Sequence, residues 1–181
     1  MPTFHVLIAT IGRPTLYHML ESLLPQLTAN DHVTIVFDGV TPLPITGHNV
    51  HIHHEPQALG YWGHGIRNKY APLLEKTDFV MHADDDDVYT PGTFATLRRM
   101  CVDPSTLYVT RMLLKSENRL IPAEPVVREK NIGTPNGVIP YEKNKQSQWG
   151  PRVGGDGTFY EALAMTTPVV FLNVIAYVIR P

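Results

Sequence analysis

The sequence predicts an α/β protein built on a mostly parallel, doubly wound sheet flanked by helices, and three observations predict it. First, residues 4–9 (FHVLIA), 33–37 (VTIVF) and 79–83 (FVMHA) are apolar runs without polar alternation. That is the pattern of strands buried on both faces. Second, helical spacing follows the first run, at Leu16, Met19, Leu20, Leu23, Leu24 and Leu27, so strand, short loop and helix form half of a βαβ unit. Third, each run ends in a polar turn, where ligands gather in open α/β sheets.

The chain has 181 residues, 43% of them hydrophobic and 18% charged, enough for one domain, 1–181, with a sizeable core. The formal net charge is −2 and no basic block is present, so nucleic acid is not an expected partner. A single cysteine, Cys101, excludes an internal disulfide framework and fits a reducing compartment. The start of the chain lacks the charged and apolar regions of a signal peptide, and the last apolar run, 169–179, is too short to span a bilayer. A cytoplasmic protein, peripheral at a membrane face and without a transmembrane segment, is the resulting expectation.

In chain order, residues 4–9 form the first strand and TIGRPT (10–15) its turn, with Thr15 placed to cap the following helix. Thr10 and Arg13 sit where a nucleotide or phosphate can lie. Residues 33–37 form the second strand, ending in Asp38-Gly39; an acidic residue there can accept from ribose or base donors. Residues 50–55 (VHIHHE) read as a short third strand. Its three histidines suggest zinc, but no cysteine or acidic partner stands at a familiar ligand spacing, and a histidine-rich edge is the plainer reading. LGYWGHGIRNKY (59–70) combines close-approach glycines with Tyr61 and Trp62, which can stack on a ring, and leads into a helix over 66–74 carrying Arg67 and Asn68. Residues 78–83 are the fourth strand. A helix over 93–100 and a strand over 107–114 follow. Residues 122–148 are the longest irregular stretch, and loops of that length are functional or disordered; with Trp149 as a sugar-stacking platform, this segment is the expected acceptor lid. A helix over 160–165, preceded by Asp156, and a final strand over 168–179 complete the chain.

The fourth strand delivers four consecutive carboxylates, Asp84 to Asp87. In extended geometry Asp84 and Asp86 share one face and Asp85 and Asp87 the other, with two residues of rise separating each pair by roughly 6–7 Å. Such a pair can address one hard cation, or a cation and a ribose hydroxyl, and the four like charges call for positive compensation. A solvated acidic turn is the alternative.

Four segments, in order, resemble the family-2-like glycosyltransferases of the GT-A fold: IATIGRPTL, IVFDG, GYWGHGIRNKYAPLLEKTDFVMHADDDDVYTPGTF and VGGDGTFYEAL. The third is similar to that family's Arg-Asn helix and Asp-x-Asp strand end. The resemblance implies a metal-dependent, inverting transfer of a sugar from a nucleoside-diphosphate donor, commonly a UDP-sugar, to a glycan, glycolipid or glycoprotein hydroxyl. It implies that Thr10, Arg13 and Asp38 face the nucleotide and that Arg67 and Asn68 lie near base or ribose and steady the acidic loop. Asp84 would approach the ribose or a metal-bound water, Asp86 would hold Mn2+ or Mg2+, and Asp156 would be the general base. Asp85 joins the donor-binding set, and Asp85 and Asp87 can exchange roles with Asp84 and Asp86. Trp149 and Arg152 are the acceptor-side candidates. Two departures stand out. No histidine follows His82, so the family's histidine metal ligand is either replaced by water or supplied by a longer chain of which this is a fragment. The catalytic segment reads GGDG in place of the commoner Glu-Asp pair.

The chemistry agrees. A divalent cation relieves charge on a leaving diphosphate, oxygen ligands suit magnesium or manganese, and an acceptor hydroxyl needs a carboxylate base. Two other classes share these features: a nucleotidyltransferase, for which TIGRPT is a poor glycine-rich basic loop, and a non-catalytic module that binds sugar nucleotides or glycans.

Overall fold

The computed structural model of the chain describes residues 1–179. Its first half follows the sequence pattern closely. Strands β1 (Phe4–Thr10), β2 (His32–Asp38), β3 (Val50–Glu55) and β4 (Phe79–Asp84) pair in parallel in the order β3-β2-β1-β4. Helix α1 (Leu16–Leu23) is shorter than its apolar spacing suggests, because Pro25 turns its last residues into a 3-10 segment. Helix α2 (His64–Tyr70) starts two residues before the expected 66 and stops ahead of Pro72.

The second half holds more regular structure than expected. After β4 come β5 (Val88–Tyr89), α3 (Thr93–Met100), β6 (Leu107–Leu114), β7 (Arg119–Ile121), β8 (Gly137–Pro140), the single helical turn α4 (Tyr141–Asn144), α5 (Gly155–Ala164) and β9 (Val169–Ile179). The supposed loop over 122–148 therefore contains a sheet strand. β8 runs antiparallel between β4 and β6, and residues 131–141 are buried throughout. The expectation of an acceptor lid therefore fails for residues 131–141, which are buried around a strand inside the sheet, while 123–130 run along the surface.

The sheet order continues β4-β8-β6-β9-β5, with β7 on the edge of β6. Only residues 85–87 separate β4 from β5 in sequence, yet β8, β6 and β9 lie between them in the sheet. The sheet must curl for this to hold, and the acidic turn bridges the gap. One apolar core packs α1 and α3 against one face, through Leu16, Met19, Leu23, Phe94 and Leu97 with Val6, Ile8, Ile35 and Met81. A second packs α2 on the other face, through Ile66, Tyr70 and Leu74 with Leu7, Val36 and Val80. A third surrounds Trp149, Phe159 and Tyr160. No helix among the described residues is long and apolar enough to cross a membrane.

Candidate functional site

Strands β1, β2 and β4 end side by side, at Thr10, Asp38 and Asp84, and their carboxyl ends floor a cavity of about 440 Å³. Thr10, Arg13, Asp38, Asp84, Asp85, Asp86 and Asp156 all line it. Residues separated by as many as 146 positions thus meet in one space.

Strand β4 ends at Asp84 and Asp85 and Asp86 form a turn, yet exposure still alternates along the run. Asp84 and Asp86 are partly exposed to the cavity, whereas Asp85 and Asp87 are buried. Asp85 accepts from the Thr10 hydroxyl at 2.5 Å and from Arg13 Nη1 at 2.9 Å. Its carboxylate therefore clamps the β1 loop. Arg13 Nη1 also lies 2.9 Å from Asp86 Oδ2, so one half-exposed guanidinium compensates two of the four charges. Arg67 compensates a third. It is fully buried and pairs with Asp84 Oδ1 at 2.5 Å, donates to the Trp62 carbonyl at 2.8 Å, and lies 5.2 Å from the Trp149 ring centroid. The Tyr177 hydroxyl on β9 receives the Asp84 N–H at 3.0 Å and fixes the turn from below. Burial, with Asp87 and Asp84 nearby, holds that phenol well above its ordinary pKa.

Asp38 spends its carboxylate on the loop opposite, accepting from the N–H groups of Leu59 at 2.6 Å and Gly60 at 2.9 Å. That loop is strained: Gly60, Tyr61, Trp62 and Gly63 all have positive φ, between 54° and 81°. Two non-glycine residues there are unusual, and such strain gathers at binding sites. Gly63 cannot be replaced cheaply, since a Cβ there would sit 2.7 Å from that of Ala9 and 2.9 Å from Arg67 Nη1. The result is a Trp62 ring, 66% exposed, at the cavity rim.

Asp156 stands in the first turn of α5, behind the left-handed Gly154, and accepts from the Gly157 N–H at 3.0 Å. Helix N-termini favour a carboxylate. Helix α5 begins five residues before the expected 160 because glycines 155 and 157 let it pack closely, against Gly150 and Glu129.

Several expected site residues lie elsewhere. Arg67 and Asn68 do not line the cavity. Asn68 instead brackets the backbone of residue 149, donating to the Trp149 carbonyl at 2.9 Å and accepting from its N–H at 2.8 Å. Trp149 is 3% exposed and stacks on Phe159 at 4.1 Å. It is a core residue, and the sugar-stacking expectation fails at this position. Arg152 points to Glu129, with contacts at 3.0 and 2.8 Å, and does not line the cavity.

Sequence reasoning passed over His64. Its ring lines the cavity, and Nδ1 lies 2.8 Å from the Gly150 carbonyl, which can only accept. Nδ1 therefore carries the proton, and a neutral ring keeps the Nε2 lone pair. Burial holds this imidazole below its ordinary pKa, and Arg67 acts in the same direction, while the Gly150 carbonyl, Asp156 and Asp84 pull the other way. The signal was faint: one histidine among nine, in a glycine-rich segment.

No protein-family model matches the chain, and no curated protein matches it in sequence. Solved structures do. S. aureus TarS 1-349 superposes with a TM-score of 0.77 at 17% identity, over 98% of this chain and 60% of that one. The same protein in complex with UDP-GlcNAc gives 0.76 at 14%, over 98% and 58%. GalNAc-T7 with UDP, GalNAc and Mn2+ gives 0.65 at 12%, over 95% and 42%. IspDF from Campylobacter jejuni gives 0.59 at 14%, over 94% and 49%. The chain thus spans 60% or less of the length of each of these structures. At such identities the likeness is one of fold, and that fold is GT-A-like.

Proposed function

We propose that the chain is a nucleotide-sugar glycosyltransferase, moving a sugar from a UDP-sugar to a hydroxyl of a glycan, glycolipid or glycoprotein acceptor with inversion. The observation that carries this reading is that Asp84, Asp86 and Asp156 line one and the same cavity, together with Asp38 and Arg13. The structural neighbours that hold UDP-GlcNAc, or UDP, GalNAc and Mn2+, support the donor class.

Each residue has a defined task. The Asp38 carboxylate holds the 59–60 backbone in place for the base and ribose. Thr10 and Asp85 fix the β1 loop so that Arg13 reaches the donor phosphates. Asp84 and Asp86 form an all-oxygen donor set, partly open to the cavity, that fits Mn2+ or Mg2+. When bound, such a cation would offset the charge building on the leaving diphosphate. Asp156 takes the proton of the acceptor hydroxyl as that oxygen attacks the anomeric carbon. His64 Nε2 accepts a hydrogen bond from a substrate hydroxyl, and the exposed Trp62 ring offers the stacking surface that Trp149 does not.

The test is transfer from UDP-sugars to a panel of glycan acceptors, read as UDP release and product mass. Asp156→Asn is expected to lower turnover by about 10²–10⁴-fold while donor binding is kept. Full turnover in that variant overturns the base assignment. A nucleotidyltransferase reading keeps IspDF as a structural neighbour, but the β1 loop has one glycine and one arginine in TIGRPT. Pyrophosphate release from a nucleoside triphosphate and a sugar phosphate would favour it.

A further inference from the structure

A second constellation of ligating side chains lies at the other end of the sheet. His32 opens β2, His51 lies near the start of β3, and Glu75 follows the 3-10 turn at Ala71–Leu73. His32 and Asp38 bound β2, so the group sits about 20 Å along the strand from the cavity. His32 Nδ1 and His51 Nε2 are 3.4 Å apart. Glu75 Oε2 lies 3.3 Å from the first and Glu75 Oε1 lies 3.5 Å from the second.

Zinc bound by imidazole and carboxylate sits about 2.0–2.2 Å from each ligand, and the edge of a tetrahedron is about 1.63 times that length, or about 3.3–3.5 Å. An octahedral site at comparable distances has edges of about 3.0 Å. The two imidazole nitrogens are at tetrahedral edge length from each other, and each is at that length from one oxygen of the Glu75 carboxylate; one ligand atom from each of the three side chains lies within 4.8 Å of the others. We propose that His32, His51 and Glu75 bind a zinc ion, with water from the open side of Glu75 in the fourth position.

The surroundings support this. His5 stacks on His32 with ring centroids 5.6 Å apart. Its Nδ1 donates to the Glu75 carbonyl at 3.0 Å, and its Nε2 accepts from the Thr34 hydroxyl at 2.8 Å. His5 therefore fixes the backbone at Glu75. Strand register places His5 beside His32 and His51 beside Thr34, which puts all four on one face. The other histidines of β3 take no part: His53 packs on Tyr70, and His54 is exposed. A bound ion would tie edge strand β3 and the start of β2 to the turn that leads into β4. It would act as a clamp remote from the transfer chemistry, and it stands whether or not the glycosyltransferase reading does.

The test is calorimetric titration of zinc chloride into chelator-stripped full chain, repeated with Co2+ to read coordination from its visible spectrum. The donor-site carboxylates are separated out with an Asp84→Asn/Asp86→Asn variant. The expected result is one equivalent of zinc in both wild type and that variant, the intense visible bands of four-coordinate cobalt, and a zinc-induced rise in Tm. His51→Ala, on the exposed edge strand, and the near-isosteric Glu75→Gln are each expected to weaken zinc by tenfold or more and to abolish the Tm rise. Zinc affinity unchanged in both variants overturns the proposal, as does binding lost only with the donor-site carboxylates.

Discussion

At the scale of the residue, the site separates into side chains that face the cavity and side chains that hold those in place. The two tryptophans show why the sequence alone misassigned one of them. Trp149 follows a polar stretch and Trp62 sits among glycines, so both read as loop aromatics. Burial decides between them, and burial is a property of the packed chain: Trp149 packs on Phe159 and His82, while Trp62 sits exposed within four successive residues of positive φ. Trp149→Ala is therefore expected to cost about 3–5 kcal/mol of stability in urea unfolding. Trp62→Ala is expected to leave stability within about 0.5 kcal/mol and to raise the KM for a substrate. The reverse pattern would return the stacking role to Trp149. The pairing of Asp84 with Asp86 and of Asp85 with Asp87 matches the observed exposure, but β4 ends at Asp84 and Asp85 and Asp86 form a turn, so it is packing of that turn and not an extended backbone that buries Asp85 and Asp87. Arg67 was legible as a partner of that run, but its complete burial was not.

At the scale of the element, β1, β2, β3, β4, β6 and β9 announced themselves because strands buried on two faces, or long enough to hold a sheet edge, leave apolar runs. The missed elements are short. β8 has four residues and a proline, and β5 has two, so neither shows periodicity; both exist because neighbouring strands supply their hydrogen bonds. The first and fourth strands each carry a buried neutral imidazole, His5 and His82. Burial lowers their pKa values to about 4 and about 3, from an ordinary 6.5. His82 Nε2 donates to the Asn144 side-chain oxygen at 2.8 Å, a bond that fixes its neutral tautomer. Because both folded-state values lie below the unfolded one, the unfolded chain takes up protons first on acidification. Their contribution is fully present above about pH 6.5 and is lost as pH falls from there toward the folded values. At pH 5.5 the two groups together are expected to cost about 2–3 kcal/mol relative to pH 7.5, read as a lower urea midpoint. Equal midpoints at the two pH values would show that the rings charge as freely folded as unfolded.

At the scale of the molecule, the curl of the sheet is the organising fact. It brings β9 beneath the acidic turn, where Tyr177 holds Asp84, and it brings the start of α5 to the same cavity, which Asp156 lines together with Asp84 and Asp86. None of this long-range arrangement is visible in local pattern; only the order of the four motifs hinted at it, through their resemblance to a GT-A family. The central claim is that the cavity receives a nucleoside diphosphate through the carboxylates of the β4 end. The most direct measurement is calorimetric binding of UDP, GDP and dTDP to the whole chain, each with and without Mn2+, in the wild type and in Asp86→Ala. UDP is expected to bind, with an affinity that depends on Mn2+ in the wild type and not in the variant. Absence of nucleotide binding under every condition, or UDP binding indifferent to both metal and Asp86, would contradict it.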